Sequence, residues 1–168
     1  MTEQKSWNAF TVEREDNIAQ VTLIGPSKGN AMGPDFWSEL PEIFADLDAD
    51  PEVRAIVIAG SGKHFSFGLD LPAMSGEFGA VLADKAQAGP RTKFHDMIKR
   101  MQSGINAVAD CRKPVVAAVQ GWCVGTRVAD VRCRDQVDAA ADAPEQAVVQ
   151  NAVRLAHGAP HLDPCQRV

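Results

Sequence analysis

At 168 residues the chain is long enough for one domain with a sizeable core. Its 17 Lys and Arg against 22 Asp and Glu give a net charge of −5, and the basic residues are scattered. That excludes a nucleic-acid footprint and a polybasic membrane patch.

The amino-terminal Met1–Trp7 segment has no apolar run of signal-peptide length, and no later stretch approaches a membrane span, so a cytoplasmic protein is expected. Phe10–Arg14 and Ile18–Ile24 alternate apolar and polar residues around Glu15-Asp16-Asn17, which predicts an antiparallel hairpin. Gly25–Asn30 reads as loop. Asp35 then precedes Phe36, Trp37, Leu40, Ile43, Phe44 and Leu47 at helical spacing, with Pro41 tolerable if it falls in the first turns.

Arg54–Gly60 is a continuous apolar run bounded by turn formers, the sign of a strand buried on both faces. It leads into Gly62–Leu71, where a short β-like run breaks at Gly68 before a helix and can aim bare N–H groups at a ligand. Pro72–Gly89 predicts a short helix and a surface segment. Phe94, Met97, Ile98, Met101, Ile105 and Val108 form one apolar stripe on a helix over Arg91–Asp110, read as core packing.

Cys111-Arg112-Lys113-Pro114 stops that helix, and Val115–Val119 is a second buried strand, followed by Gln120–Gly125. Two buried strands, each running into a glycine loop with helices between, imply an α/β layered fold with both loops at one end. The four cysteines, Cys111, Cys123, Cys133 and Cys165, make no C-x-x-C pair and are expected as free thiols. Beyond Thr126 no Phe, Trp, Met or Ile recurs, and the packing vocabulary is gone. Residues 126–168 therefore read as an atypical tail, either disordered or translated out of frame.

If the two glycine loops meet, the N–H groups after Gly68 and near Gly125 converge on one carbonyl oxygen, an arrangement that stabilises an oxyanion or enolate. Ordinary strand-to-helix turns account for the same spacing. Three other patterns lead nowhere. Gly60–His64 lacks the first glycine and the Ser or Thr of a phosphate loop. His64, Ser66 and Asp70 lack the G-x-S-x-G context of a hydrolase triad. His157, His161 and Cys165 are interrupted by Pro160 and Pro164 and lack a fourth ligand, so no metal is expected.

Asn30-Ala31-Met32, Phe36-Trp37, Gly60–Leu71 and Lys113–Gly125 together resemble the enoyl-CoA hydratase/isomerase (crotonase) family, within it most of all the dienoyl-CoA isomerase-like members. The resemblance covers about residues 8–125. It implies a crotonase-like spiral of ββα repeats, truncated here after the second glycine loop, with residues 1–125 as the amino-terminal part of an acyl-CoA-binding domain. It implies an acyl-CoA thioester as substrate, coenzyme A being part of that substrate, with no separate cofactor. The family holds the enolate with two backbone N–H groups. These carry over to Leu69 and Thr126, with Ser66, Phe67, Gly68, Leu69, Asp70 and Gly125 lining the thioester site.

The sequence departs from the family where Gly125-Thr126-Arg127 stands in place of three glycines. The family's acid/base carboxylates find no match: Asp130 is near the first in sequence, but the residues before it differ. The later helices that build the family's trimer or hexamer are missing. Two functions follow from the resemblance: an enzyme that polarises an acyl-CoA carbonyl, or a catalytically dead fragment that binds acyl-CoA or associates with relatives.

Overall fold

The computed structural model describes residues 5–25, 28–82 and 88–124 and one further strand at 135–138. Strands β1 (Phe10–Glu15) and β2 (Ile18–Leu23) form the antiparallel hairpin. Its turn residues Asp16 and Asn17 both have positive φ, 48° and 66°, the two-residue turn whose twist suits a hairpin. Helix α1 (Pro34–Ala49) crosses to β3 (Ala55–Gly60), which lies parallel to β2. Helices α2 (Leu71–Leu82) and α3 (Ala88–Ala109) then lead to β4 (Val115–Val119), parallel to β3, and β5 (Asp135–Asp138) extends the sheet alongside β4. The sheet order is β1-β2-β3-β4-β5, so each new strand is added at the same edge.

The core lies between this sheet and helices α1 and α3, which pack on each other. The α1 stripe of Phe36, Trp37, Leu40, Ile43, Phe44 and Leu47 is buried as its spacing predicts. It meets one face of the sheet, where Val21, Ile56, Ile58 and Ala117 are also buried. Val57, Ala59 and Ala118 on the other face are 0% exposed, so β3 is enclosed on both sides, as a continuous apolar run requires.

Two local expectations shift. Helix α1 starts before Asp35: Pro34 occupies the first helical turn, where its fixed φ suits the helix and its missing N–H costs nothing, and Asp35 lies in that turn. Pro41 falls well inside the helix rather than in its first turns. The helix continues because the buried stripe resumes at Ile43, and because α3 comes close at the same level. A Cβ built on Gly104 would lie 3.6 Å from Leu40 Cδ2 and from the Trp37 ring.

The end of α1 is tied to the turn before β4. Asp48 accepts from the Arg112 backbone N–H at 2.9 Å and from Arg112 Nε at 2.8 Å, while Lys113 Nζ donates to the carbonyls of Leu47 and Asp50. Those two carbonyls lie where a helix C-terminus favours a cation. The Arg112 bonds hold the Asp48 carboxyl below its ordinary range. Burial pushes the neighbouring Cys111 thiol up.

Candidate active site

Strand β3 ends at Gly60 and the chain turns into the segment Phe65–Asp70, which is hydrogen-bonded along both edges. On one edge Phe67 N donates to Gly29 O at 2.9 Å, Met32 N to Gly68 O at 2.8 Å and Asp70 N to Met32 O at 3.1 Å. On the other, Phe65 N donates to Gln120 O at 2.8 Å, Ser66 N to Trp122 O at 3.1 Å and Val124 N to Ser66 O at 3.0 Å. Ser66 and Cys123 thus form a parallel bridge, and the two glycine loops lie side by side.

The Gln120 side chain adds a second tie, donating from Nε2 to the carbonyls of Gly60 and Gly62. Gly121, at φ +58°, permits the close approach: a Cβ there would collide with Lys63 O and His64 Nδ1. His64 Nδ1 accepts from Trp122 N at 3.2 Å, and the rings of His64, Phe67 and Trp122 cluster at 5.3–5.9 Å.

Within Phe65–Asp70 the amides have distinct fates. Gly68 N–H donates to Ser66 Oγ at 3.0 Å, and Asp70 N–H to Met32 O. Leu69 N–H makes no hydrogen bond among the described residues. In the parallel Met32–Leu69 bridge the groups that meet Met32 belong to Gly68 and Asp70, so the Leu69 N–H points to the opposite edge.

Ser66 is fully buried, its hydroxyl donating to Asn30 O at 2.8 Å, so it supports the loop from beneath. Phe67 belongs to the aromatic cluster. Gly68, at φ +89°, provides the turn that a side chain would strain. Asp70 is buried at the start of α2, its Oδ1 accepting from Ala73 N at 3.0 Å in the manner of an N-cap. Gly125 and Thr126 lie outside the described residues, as do Asp130, His157, His161 and Cys165.

Beside Leu69 a cavity of about 440 Å³ opens between α1 and α3, lined by Met32, Trp37, Leu69, Ile98, Met101, Gln102, Ile105 and Asn106. Among the described residues its wall is apolar apart from two carboxamides and the indole, and contains no carboxylate. Part of the α3 stripe that sequence assigns to core packing is thus a cavity wall: Met97 and Val108 are buried, while Ile98, Met101 and Ile105 border the space. Among the described residues no helix is long and apolar enough to cross a membrane.

Comparison with known proteins decides the lineage of this arrangement. The enoyl-CoA hydratase/isomerase family model matches residues 13–154. The chain belongs to the enoyl-CoA hydratase/isomerase family. The match runs past the second glycine loop, where the motif resemblance stops, and takes in β5.

The chain is 32% identical over 125 residues to a peroxisomal Δ(3,5)-Δ(2,4)-dienoyl-CoA isomerase of Arabidopsis thaliana, covering 74% of this chain and 45% of the relative. It is 38% identical over 113 residues to the mitochondrial enzyme of that name from Homo sapiens, covering 66% and 34%. Among solved structures, an enoyl-CoA hydratase/isomerase from Marinobacter aquaeolei superposes with a TM-score of 0.58 at 28% identity, over 67% of this chain and 41% of that one. An enoyl-CoA hydratase from Mycobacterium smegmatis gives 0.57 at 30%, over 73% and 44%. The chain therefore spans less than half the length of these relatives, and the crotonase-like fold is shared over the part it has.

In the sequence Asn30 stands out only as the first residue of Asn30-Ala31-Met32. In the structure Asn30 is buried at φ +52°, and its Nδ2 lies 2.9, 3.0 and 3.1 Å from the carbonyls of Ser61, His64 and Phe65. The available signal was the Gly29-Asn30 pair itself, since Asn is the residue other than Gly that most readily takes positive φ.

Proposed function

We propose that this chain binds an acyl-CoA thioester with its carbonyl oxygen on the Leu69 N–H and its acyl chain in the cavity toward α3. The observation that carries this reading is the Leu69 amide, without a partner among the described residues, beside an apolar cavity that Leu69 also lines. A hydrogen bond to the thioester oxygen draws electrons from the carbonyl, makes the α-proton more acidic and stabilises the enolate formed when that proton leaves. A preorganised donor of this kind contributes about 3–4 kcal/mol to a transition state.

The second donor in this reading is the Thr126 N–H, next to Gly125. Thr126 follows closely in sequence on Val124, whose N–H donates to Ser66 O at 3.0 Å. Ser66, Phe67, Gly68 and Asp70 form the wall that carries the first donor. An enzyme so equipped shifts a double bond or adds water across one, according to which carboxylates move the proton. No cofactor besides the coenzyme A of the substrate enters this chemistry. A cytoplasmic location is part of the reading, and cell fractionation tests it.

A second reading, binding without turnover, is favoured by one feature: none of the described residues lining the cavity is a carboxylate. Calorimetric titration with a medium-chain acyl-CoA, run beside assays of 2-enoyl-CoA hydration and 3,5-dienoyl-CoA isomerisation, separates the cases. Saturable binding with turnover supports an enzyme. Binding alone supports the second reading, and no binding contradicts both.

A further inference from the structure

We propose that Ser66 and Asn30 are a positioning pair that determines which amide of the glycine loop is offered to a ligand. This rests on the reading of Leu69 as the carbonyl donor. Gly68, Leu69 and Asp70 carry three successive N–H groups, and two of them are occupied. The Ser66 hydroxyl does two things at once: it accepts the Gly68 N–H at 3.0 Å and donates its own proton to Asn30 O at 2.8 Å. The residue is 0% exposed, so no solvent water can take over either bond.

The Gly68–Leu69 peptide plane, which carries the Leu69 N–H, follows a glycine at φ +89°. That plane is held by Met32 N–H, which donates to Gly68 O at 2.8 Å, but a glycine has the widest backbone freedom of any residue, so without a partner the Gly68 N–H and the Phe67–Gly68 plane before it would be free to turn beside Leu69. Ser66 supplies the tether for that preceding plane and keeps the Gly68 N–H occupied.

Asn30 holds the other end. At φ +52° its carbonyl faces Ser66, while its carboxamide accepts from Ser61 Oγ at 2.9 Å and donates to the carbonyls of Ser61, His64 and Phe65. One buried residue therefore fixes both the approach to the loop and the acceptor on which Ser66 depends. Neither side chain touches the ligand in this scheme. Both act through the Leu69 amide.

Residue-resolved amide exchange on the intact 168-residue chain is the first test. The Gly68 and Asp70 amides are expected to exchange slowly and Leu69 fast, with Leu69 slowed on adding butyryl-CoA. Gly68 exchanging as fast as Leu69 overturns the proposal without any variant being made.

The second test compares butyryl-CoA with its thioether analogue, which lacks the carbonyl oxygen. Ser66→Ala is expected to reduce the preference for the thioester over the thioether by about fivefold to tenfold, the scale of one lost hydrogen bond. Ser66→Thr, which keeps the hydroxyl, is expected to retain the preference. An undiminished preference in Ser66→Ala overturns the positioning role; if that variant does not fold, the exchange pattern of the unaltered chain decides. If the unaltered protein shows no thioester preference and Leu69 is not slowed, the carbonyl-donor reading fails instead. The protection of Gly68 still reports separately on the tether.

Discussion

Ser66 and Cys123 pair in parallel, and through that one bridge the loop after β3 and the loop after β4 run alongside each other. The bridge, the Gln120 carboxamide and the His64–Trp122 hydrogen bond make a single unit of two segments far apart in sequence.

Gly121→Ala is expected to destabilise the fold by about 1–3 kcal/mol, because it places a side chain at positive φ and against the Lys63 carbonyl. Urea denaturation measures this. Acyl-CoA affinity should fall together with stability, since the second loop can no longer lie against the first.

Asp70→Ala removes the side-chain acceptor at the start of α2 and should cost about 1 kcal/mol of stability, the usual scale for an N-cap. Denaturant midpoint and calorimetric affinity are read on the same sample. An affinity loss beyond about tenfold with unchanged stability would instead make Asp70 a ligand contact.

The glycine loops were readable in sequence because they depend on local rules: glycine where φ is positive, a continuous apolar run where a strand is enclosed, a proline just past the end of a helix. The hairpin, β3, β4 and the α1 stripe follow from the same rules. Two features of the site were not readable. Asn30 works through carbonyls more than thirty residues away, a contact that no spacing encodes. The α3 stripe has a helical period whether its residues fill a core or border a cavity, so the period does not separate Ile105, which borders the cavity, from Val108, which is buried.

Ile105→Trp fills part of the cavity between α1 and α3. Affinity for long-chain acyl-CoA should fall more than affinity for a short-chain one, by about tenfold in ratio, the scale of one or two methylenes expelled from an apolar pocket. Titrating the two ligands against both proteins reads the ratio.

Acid weakens one identifiable tie. The Arg112 bonds lower the Asp48 carboxyl, so its contribution to stability is present above its ordinary value of 3.8 and is lost as pH falls through its folded-state value. The stability difference between the unaltered protein and Asp48→Asn is therefore expected to be constant near neutrality and to shrink below that value. Urea denaturation at about pH 7 and about pH 3 checks the direction.

Of the two described cysteines, Cys123 is exposed, whereas Cys111 is partly buried with its thiol pushed up by burial. Iodoacetamide should alkylate Cys123 well before Cys111, because the thiolate is the reacting form. Peptide mass mapping over a time course gives the order.

Carbonyl polarisation at Leu69 is most directly measured by isotope-edited infrared spectroscopy of an acyl-CoA labelled with carbon-13 at the thioester carbonyl. Donation from the Leu69 N–H weakens the C=O bond, so the labelled band is expected at lower frequency in the complex than in free solution. A bound ligand whose carbonyl band stays at its solution frequency would contradict the account.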